Sequence, residues 1–297
     1  MLARTRAHWQ IHFCVLLWGF TAILGKLITL PALALVWWRM LIVVAVLLAL
    51  PWVWRGLARM PPRLVLAYAG IGVLVALHWL TFYGAIKLAN ASVAATCIAL
   101  APVFLALVEP LVARRRFDWR ELLIGVAVVP GVALVVGGIP AAMRQGVVVG
   151  IVSALLVALF GSLNKRLVEQ ADPLPVTCVE LGAGTLFLTG LALLWPGAGS
   201  SFAVPGGSDA VLLLVLALAC TLLPFALSLV ALRHLSAFSA QLAVNLEPVY
   251  AVVLAIVLLG EQHELGRAFY LGVAIIVGAV FIHPLLVARQ TVARERA

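Results

Sequence analysis

The sequence predicts an all-α polytopic membrane protein: ten transmembrane helices, built as two inverted repeats of five helices each. Three observations carry the prediction. Of 297 residues, 65% are apolar and only 10% are charged, against roughly 25% charged in an ordinary soluble domain. The chain divides into apolar runs close to the ~20 residues that a spanning helix needs. And the stretch Asn90–Glu109 returns as part of Ser236–Gln262, with Pro102 matching Pro248, Leu100 matching Leu246, Val103 matching Val249 and Phe104 matching Tyr250.

In chain order, the first half offers helices near His12–Thr29, Ala34–Trp52, Leu64–Ile86, Ala91–Val112 and Leu122–Gly138. The second half offers Val147–Leu167, Pro175–Trp195, Val211–Leu232, Ser236–Gly260 and Ala268–Val287. The breaks between them carry turn chemistry: Pro61-Pro62, Gly137-Gly138 with Pro140, Asp172-Pro173, and the Pro/Gly-rich stretch from Pro196 to Gly207. Backbone polar groups must be paired in hydrocarbon, which makes helices the default; the short alternating strands of a barrel are absent from the sequence. The first run follows Arg4 and Arg6 like a signal peptide. It lacks a small-residue cleavage site and is retained as a helix.

Orientation follows from lysine and arginine. With the N-terminus inside, the inner segments hold fifteen of the 20 basic residues, among them Arg55, Arg59, Arg63, Arg114, Arg115, Arg116, Arg289, Arg294 and Arg296. The outer ends hold four, Lys26, Lys87, Arg144 and Arg267, and Arg39 lies within the second helix. That excess places both termini in the cytoplasm.

The repeat extends beyond the two prolines. Ala85-Ile86-Lys87-Leu88 matches Ala231-Leu232-Arg233-His234, and Leu123-Ile124-Gly125-Val126-Ala127 matches Tyr270-Leu271-Gly272-Val273-Ala274, with Gly131 at Gly278. The units are 1–142 and 143–297. An odd number of helices per unit reverses the direction in which the second crosses the membrane. The loop charges agree: Arg114 to Arg116 follow the fourth helix, whereas Glu261 and Glu264 follow the ninth.

Several functional classes fall away. The basic residues are scattered through short loops, which argues for topology control and against nucleic-acid binding. Cys14, Cys97, Cys178 and Cys220 lie singly in apolar runs and read as buried thiols. His263-Glu264 lacks the second histidine of a zinc protease motif, and the three aspartates, Asp118, Asp172 and Asp209, are far apart. No metal or cofactor is expected, and no enzyme chemistry.

Polar residues inside the spans are the candidate site. Glu247 carries an ionisable group near mid-bilayer, where insertion costs about 2.5–3.5 kcal/mol and such a group is paired or lines a cavity. It reads as a proton-coupling residue, a partner for a substrate ammonium, or a group bonded to backbone freed by Pro248. Gln241 and Asn245 share a helical face with Pro248; Ser92, Thr96, Ala99 and Pro102 make the corresponding face of the fourth helix, beside Leu100. These faces line a cavity or bond neighbouring helices. Pro102 and Pro248 each break the backbone ladder and serve as kinks or hinges. On the third helix Gly72, Ala76, Trp79 and Tyr83 share a face with His78 beside it, and form an aromatic pocket wall or an interfacial belt. Trp18 is deeper in the first helix, and Phe160-Gly161 mirrors Trp18-Gly19. Arg39 lies about 9 Å below its helix end at 1.5 Å per residue; snorkelling is the default, a pair with Glu247 or with a substrate carboxylate the alternative. Glu109 and Glu180 fall near inner ends and read as interfacial ion-pair partners of the neighbouring basic residues. Lys26 and Lys87 read as solvated outer-edge residues.

Trp18-Gly19, Pro31 with Arg39, Phe82-Tyr83-Gly84-Ala85-Ile86, Ala101-Pro102-Val103-Phe104, Leu246-Glu247-Pro248-Val249 and Leu258-Leu259-Gly260-Glu261 together resemble the drug/metabolite transporter superfamily, in its ten-helix EamA-type branch. The resemblance covers nearly the whole chain, with the YddG-type amino acid exporter as the nearest shape. The first repeat departs from it, with Arg114-Arg115 where relatives often carry Gly-Glu. The resemblance implies a secondary carrier working by alternating access without ATP, exporting amino acids (aromatic ones included) or other small amphipathic metabolites. The alternatives are a multidrug or cationic-compound exporter and a sugar-phosphate or nucleotide-sugar exchanger, the last wanting cations that face a central cavity. The Ala/Leu/Val/Arg-rich composition reads as that of a high-GC bacterium. It gives the Asn90-Ala91-Ser92 sequon no weight and sets the chain in the inner membrane, as a monomer with lipid and a small-molecule substrate for partners.

Overall fold

The computed structural model describes residues 2–112, 116–194, 202, 204–244, 246–276 and 278. The expectations resting on Arg114, Arg115, Trp195, Asn245, the far end of the tenth predicted helix, Arg289, Arg294 and Arg296 lie outside the described residues. Every regular element within them is helical.

The first helix, α1 (Leu2–Leu27), is followed by Pro31, whose extended backbone stops the chain and whose carbonyl starts α2 (Ala32–Leu48). The sequence predicts α2 through Trp52. Instead Pro51 opens a separate helix, α3 (Pro51–Arg59), bent by 92° from α2. A proline is tolerated at the first turn, where its missing N–H has no partner to lose. Trp52, Trp54, Arg55 and Arg59 are exposed on α3, and Trp54 Nε1 donates to the Leu48 carbonyl at 2.8 Å. That mix of rings and cations on one short helix suits a membrane surface. Pro62 starts α4 (Pro62–Leu88) in the same way.

Asn90 ends the next turn and caps α5 (Ala91–Ile98), its side chain accepting from the Val93 N–H at 2.9 Å. The fourth predicted run continues as α6 (Ala101–Val112) after a two-residue break. The fifth run divides into α7 (Trp119–Ala127) and α8 (Val129–Gly137). In the second half α9 (Arg144–Leu167) and α10 (Pro173–Leu194) are continuous. The eighth run is α11 (Gly207–Ala217), a π-helical turn over Leu218–Leu222, and α12 (Leu223–Leu232). The ninth is α13 (Ala237–Val244) and α14 (Glu247–Leu259), ended by Gly260 at φ 70°, a left-handed cap that favours glycine. A further apolar helix, α15, covers Arg267–Ile276.

Among the described residues, six helical stretches are long and apolar enough to cross a membrane, and the bent α2–α3 pair makes a seventh candidate. The breaks in the fourth and ninth runs share one hydrogen-bond pattern. Leu100 N–H donates to Cys97 at 3.1 Å and Val103 N–H to Leu100 at 3.0 Å; Leu246 N–H donates to Ala243 at 3.0 Å and Val249 N–H to Leu246 at 3.1 Å. Each proline therefore sits one residue after the start of a new helix segment, where the ladder is already broken.

Helix α4 packs between α9 and α10, and α10 also lies on α2. Close approach fixes this layer. A Cβ added to Gly72 would run into the Glu180 carbonyl oxygen, and one on Gly184 would meet Met40 and Gly72. On the other side of the molecule α8 meets α15 through a reciprocal glycine contact, each of Gly131 and Gly272 facing the other's carbonyl oxygen.

Candidate functional site

Facing sides of α1, α4, α9, α12 and α14 enclose a cavity of about 120 Å³. Its wall is mainly apolar, with aliphatic side chains and a group of rings. Trp18 of α1 and Phe160 of α9 come in from the two halves, as do Trp79 of α4 and Phe225 of α12, whose rings meet edge to face with centroids 6.0 Å apart. Phe82 and the His78 ring complete this side, with His78 5.4 Å from Phe160.

Six polar side chains interrupt the wall: the hydroxyls of Thr21 and Ser228, and Arg39, His78, Asn164 and Glu247. The snorkelling expected of Arg39 is overturned, for only 2% of the residue is exposed. Its Nε donates to Thr221 Oγ1 at 2.5 Å, one terminal nitrogen to Tyr83 Oη at 2.8 Å and the other to the Cys220 carbonyl at 3.4 Å. The guanidinium lies 3.8 Å from the centroid of Trp79. Thr221 and Cys220 belong to the π-helical turn, whose wider ladder presents a carbonyl sideways. Three anchors leave the planar group further N–H donors toward the cavity. No carboxylate lies within salt-bridge distance of Arg39 among the described residues, so the alternative reading of a direct Arg39–Glu247 pair is not seen.

His78 is held by α9. Ser153 Oγ donates to the His78 carbonyl at 3.0 Å, and His78 Nδ1 lies 3.0 Å from the Ser153 carbonyl and 2.8 Å from its hydroxyl. A carbonyl only accepts, so Nδ1 carries the hydrogen and Nε2 is left as an acceptor. Glu247 opens α14 and is buried at the cavity edge, at a helix end where backbone N–H groups lack intrahelical partners.

Of the residues the sequence singles out, Trp18, Arg39, His78, Trp79, Phe160 and Glu247 meet here. Tyr83 stands behind the wall as an anchor for Arg39. Thr96 and Leu100 do not line the cavity: Thr96 donates to the Ser92 carbonyl at 2.7 Å, and Leu100 packs in a second apolar cluster with Val128 and Phe269. Ile98 and Leu105 face the cavity in their place. The helical face drawn through Ser92 and Thr96 fails because the chain breaks at Ala99–Leu100 and turns the following residues. Gln241 lies on α13 near Ala240 and Val244, which line the cavity. Pro102 and Pro248 are buried beside their breaks.

Other expectations are corrected at the ends of the spans. Glu180 is fully buried and has no ion pair among the described residues; Lys165 donates instead to the Leu232 carbonyl at 2.6 Å. Lys87 is exposed, but its ammonium is tied to the Ile28 carbonyl at 2.5 Å. Glu261, in the sequence only a loop charge, is buried and accepts from the Ala91 N–H, the Ser92 N–H and the Ser92 hydroxyl at 3.1, 3.1 and 2.6 Å. Asn164, which lines the cavity, and Ser153 and Thr221, which hold His78 and Arg39, are not flagged by the sequence. Asn164 precedes Lys165-Arg166 and resembles a helix end, though an amide inside an apolar run is itself a signal.

The sequence matches the EamA-like transporter family twice, over residues 6–137 and 144–283. No curated protein matches it. A solved crystal structure superposes with a TM-score of 0.70 over 96% of this chain and 99% of its own, at 19% identity, a likeness of fold. A family match over both halves, on a multi-pass helical chain with a lined central cavity, identifies this protein as a member of the EamA-like transporter family and so as a membrane transporter, not an enzyme.

Proposed function

We propose that the chain is a secondary carrier exporting small amphipathic metabolites, amino acids with aromatic ones included, across a bacterial cytoplasmic membrane by alternating access. The observation that carries this is the cavity: an aromatic and aliphatic wall interrupted by one guanidinium, one carboxylate, one imidazole, one amide and two hydroxyls. Such a site fits a solute with an apolar side chain and a charged head. Arg39 would take the carboxylate, Glu247 the ammonium, and Trp18, Trp79 and Phe160 the side chain.

Size favours the same class. An apolar cavity of about 150 Å³ admits benzene, so ≈ 120 Å³ accommodates one small solute with slight opening. A nucleotide sugar or a polycyclic drug needs several times as much. Phosphate exchange also wants several cations, and Arg39 is the one Lys/Arg side chain that lines the cavity among the described residues.

The architecture that goes with this reading is ten crossings in two inverted units, 1–142 and 143–297, with both termini in the cytoplasm and a monomer as the working form. The twofold family match, the shared break geometry at Leu100 and Leu246, and the convergence of Trp18 with Phe160 and of Trp79 with Phe225 support it. Pro102 and Pro248, beside those breaks, would serve as the hinges on which one arrangement rocks into its mirror. Purified protein in liposomes should show saturable counterflow with at least one proteinogenic amino acid and none with a nucleotide sugar. A screen of all of them, with a cationic dye included, that finds only the dye would overturn the substrate assignment.

A further inference from the structure

Glu180 lies on α10 against the face of α4, where its backbone comes close to Gly72. None of the residue is exposed. One carboxyl oxygen, Oε2, accepts from Asn164 Nδ2 at 3.4 Å. The other, Oε1, is buried without a donor, and so is Asn164 Oδ1. Two acceptors on neighbouring side chains thus lack the same thing, a hydrogen. Turning the Asn164 amide over would remove the one bond that exists. Neighbouring side chains do not supply the donor. On α4, Tyr68 donates to the Leu167 carbonyl and His78 is held by Ser153, while Tyr83, which accepts from Arg39, lies several turns along the helix from Gly72. Arg39 of α2 is engaged at Thr221, Lys165 of α9 at Leu232, and Arg233 after α12 at the Val168 and Ala171 carbonyls and Asp172. Arg55 and Arg59 of α3, with Arg63 and Lys87 at the ends of α4, are exposed.

A single hydrogen ion satisfies both orphans. We propose that Glu180 and Asn164 form a proton site of the carrier: Glu180 Oε1–H donates to Asn164 Oδ1 while Asn164 Nδ2–H donates to Glu180 Oε2, closing a cyclic acid–amide pair. Asn164 also lines the cavity, so the proton is taken up from and released to the cavity, beside the solute. The pair divides the work between two buried carboxyl groups: Glu247 faces the solute, and Glu180 carries the coupling ion. One proton enters as one solute leaves, and the carboxylate left after release keeps only the Asn164 bond until the next proton arrives. This assignment rests on the carrier reading of the same cavity.

The direct test needs no solute. Purified protein in nanodiscs, titrated from acid to alkaline pH, should show an infrared carbonyl band of a protonated carboxyl that E180Q removes and E247Q leaves in place. N164L should keep the band and move it, because the acid loses its partner. A titrating band untouched by E180Q, or unmoved by N164L, overturns the pairing. The amide that E180Q introduces supplies the missing donor permanently, so this variant should be recovered folded; failure to fold would also count against the pair. In liposomes, wild-type counterflow at equal pH on both sides should change with pH, whereas E180Q should give a flat profile and lose accumulation driven by a pH gradient. Gradient-driven accumulation retained by E180Q overturns the coupling role. If no amino acid moves at all, the substrate reading fails while the infrared result still decides the proton site.

Discussion

Removing the Glu261 carboxylate should loosen the fold more than any surface charge could. Glu261 is 1% exposed, and the residues it serves, Ala91 and Ser92, are wholly buried at the N-terminus of α5. Glu261→Ala leaves two backbone N–H groups and a hydroxyl without their acceptor. Each buried orphan donor costs about 1–3 kcal/mol, and the lost helix-terminus attraction adds about 0.3–2 kcal/mol. The Ser92 hydroxyl can rotate to a local carbonyl, so the two N–H groups dominate and the expected loss is about 3–5 kcal/mol. Ser92→Ala removes one donor and keeps the carboxylate on both N–H groups; it should lose about 1 kcal/mol. Glu261→Gln retains one acceptor oxygen and should fall between. Equilibrium unfolding in mixed micelles with increasing sodium dodecyl sulfate would rank the three. A Glu261→Ala loss below about 1 kcal/mol, the smallest cost of even one orphan donor, or a Ser92→Ala loss as large as that of Glu261→Ala, would refute the capping argument.

Gly161 lines the cavity and has open space where a Cβ would stand, so Gly161→Phe should fill the site, abolishing counterflow with little change in unfolding; an active variant would show that solute passes elsewhere. Gly72→Val should not yield folded protein, because its Cβ would overlap a backbone oxygen on a rigid helix; a monodisperse variant with wild-type unfolding would contradict the α4–α10 contact. Gly260→Val must hold a β-branched residue at φ 70°, at a cost of at least about 1–2 kcal/mol, read in the same unfolding assay. Trp79→Ala should weaken apparent affinity for an aromatic solute more than for alanine, since the lost ring contact is worth about 0.5–1.5 kcal/mol; equal losses would argue against a side-chain pocket at Trp79.

Much of the fold is legible in the sequence because the membrane restricts what a sequence can do. Apolar runs must be helices, and prolines and glycines mark their ends, so the segments from α1 to α14, α3 apart, fall on the predicted runs. The departures have local physical causes. Pro51 starts a helix as readily as it ends one, and α3 therefore reads as the tail of α2. The helical face through Ser92 and Thr96 assumes an unbroken ladder across Pro102. In the site, ring residues are visible because large aromatic groups deep in a span are few. Arg39 is visible, but its burial is not, since its partners Thr221 and Cys220 arrive from a π-helical turn 182 and 181 residues away. Asn164 is hidden because, just before Lys165-Arg166, it looks like an ordinary residue at a helix end; Glu180 is visible, but its full burial is not.

Symmetry and chemistry are distributed differently in this cavity. On the proposed alignment, apolar wall residues come in matched pairs, Trp18 with Phe160 and Trp79 with Phe225. The polar ones do not. Glu247 corresponds to Ala101, His78 to Pro224, and Asn164 to Ala22. This division is what a rocking carrier requires. A wall shared by both halves presents a similar apolar surface whichever side is open, so neither state binds the solute's side chain so tightly that the cycle stalls. In the proposed carrier, the unmatched groups would give the solute one orientation and the proton one address. A ligand shifts a two-state equilibrium only through a difference in its affinity for the two states. Matched rings supply little of that difference, so Glu180, Glu247 and Arg39 must supply it. Neutralising a charged group should therefore change the balance between inward and outward forms, whereas exchanging the rings of a matched pair (Trp18→Phe with Phe160→Trp) should change affinity and leave the balance nearly alone. Cysteine accessibility on the two membrane sides, measured with and without solute, separates these outcomes. A ring exchange that locks the carrier in one form would show that the wall, and not the charges, sets its direction.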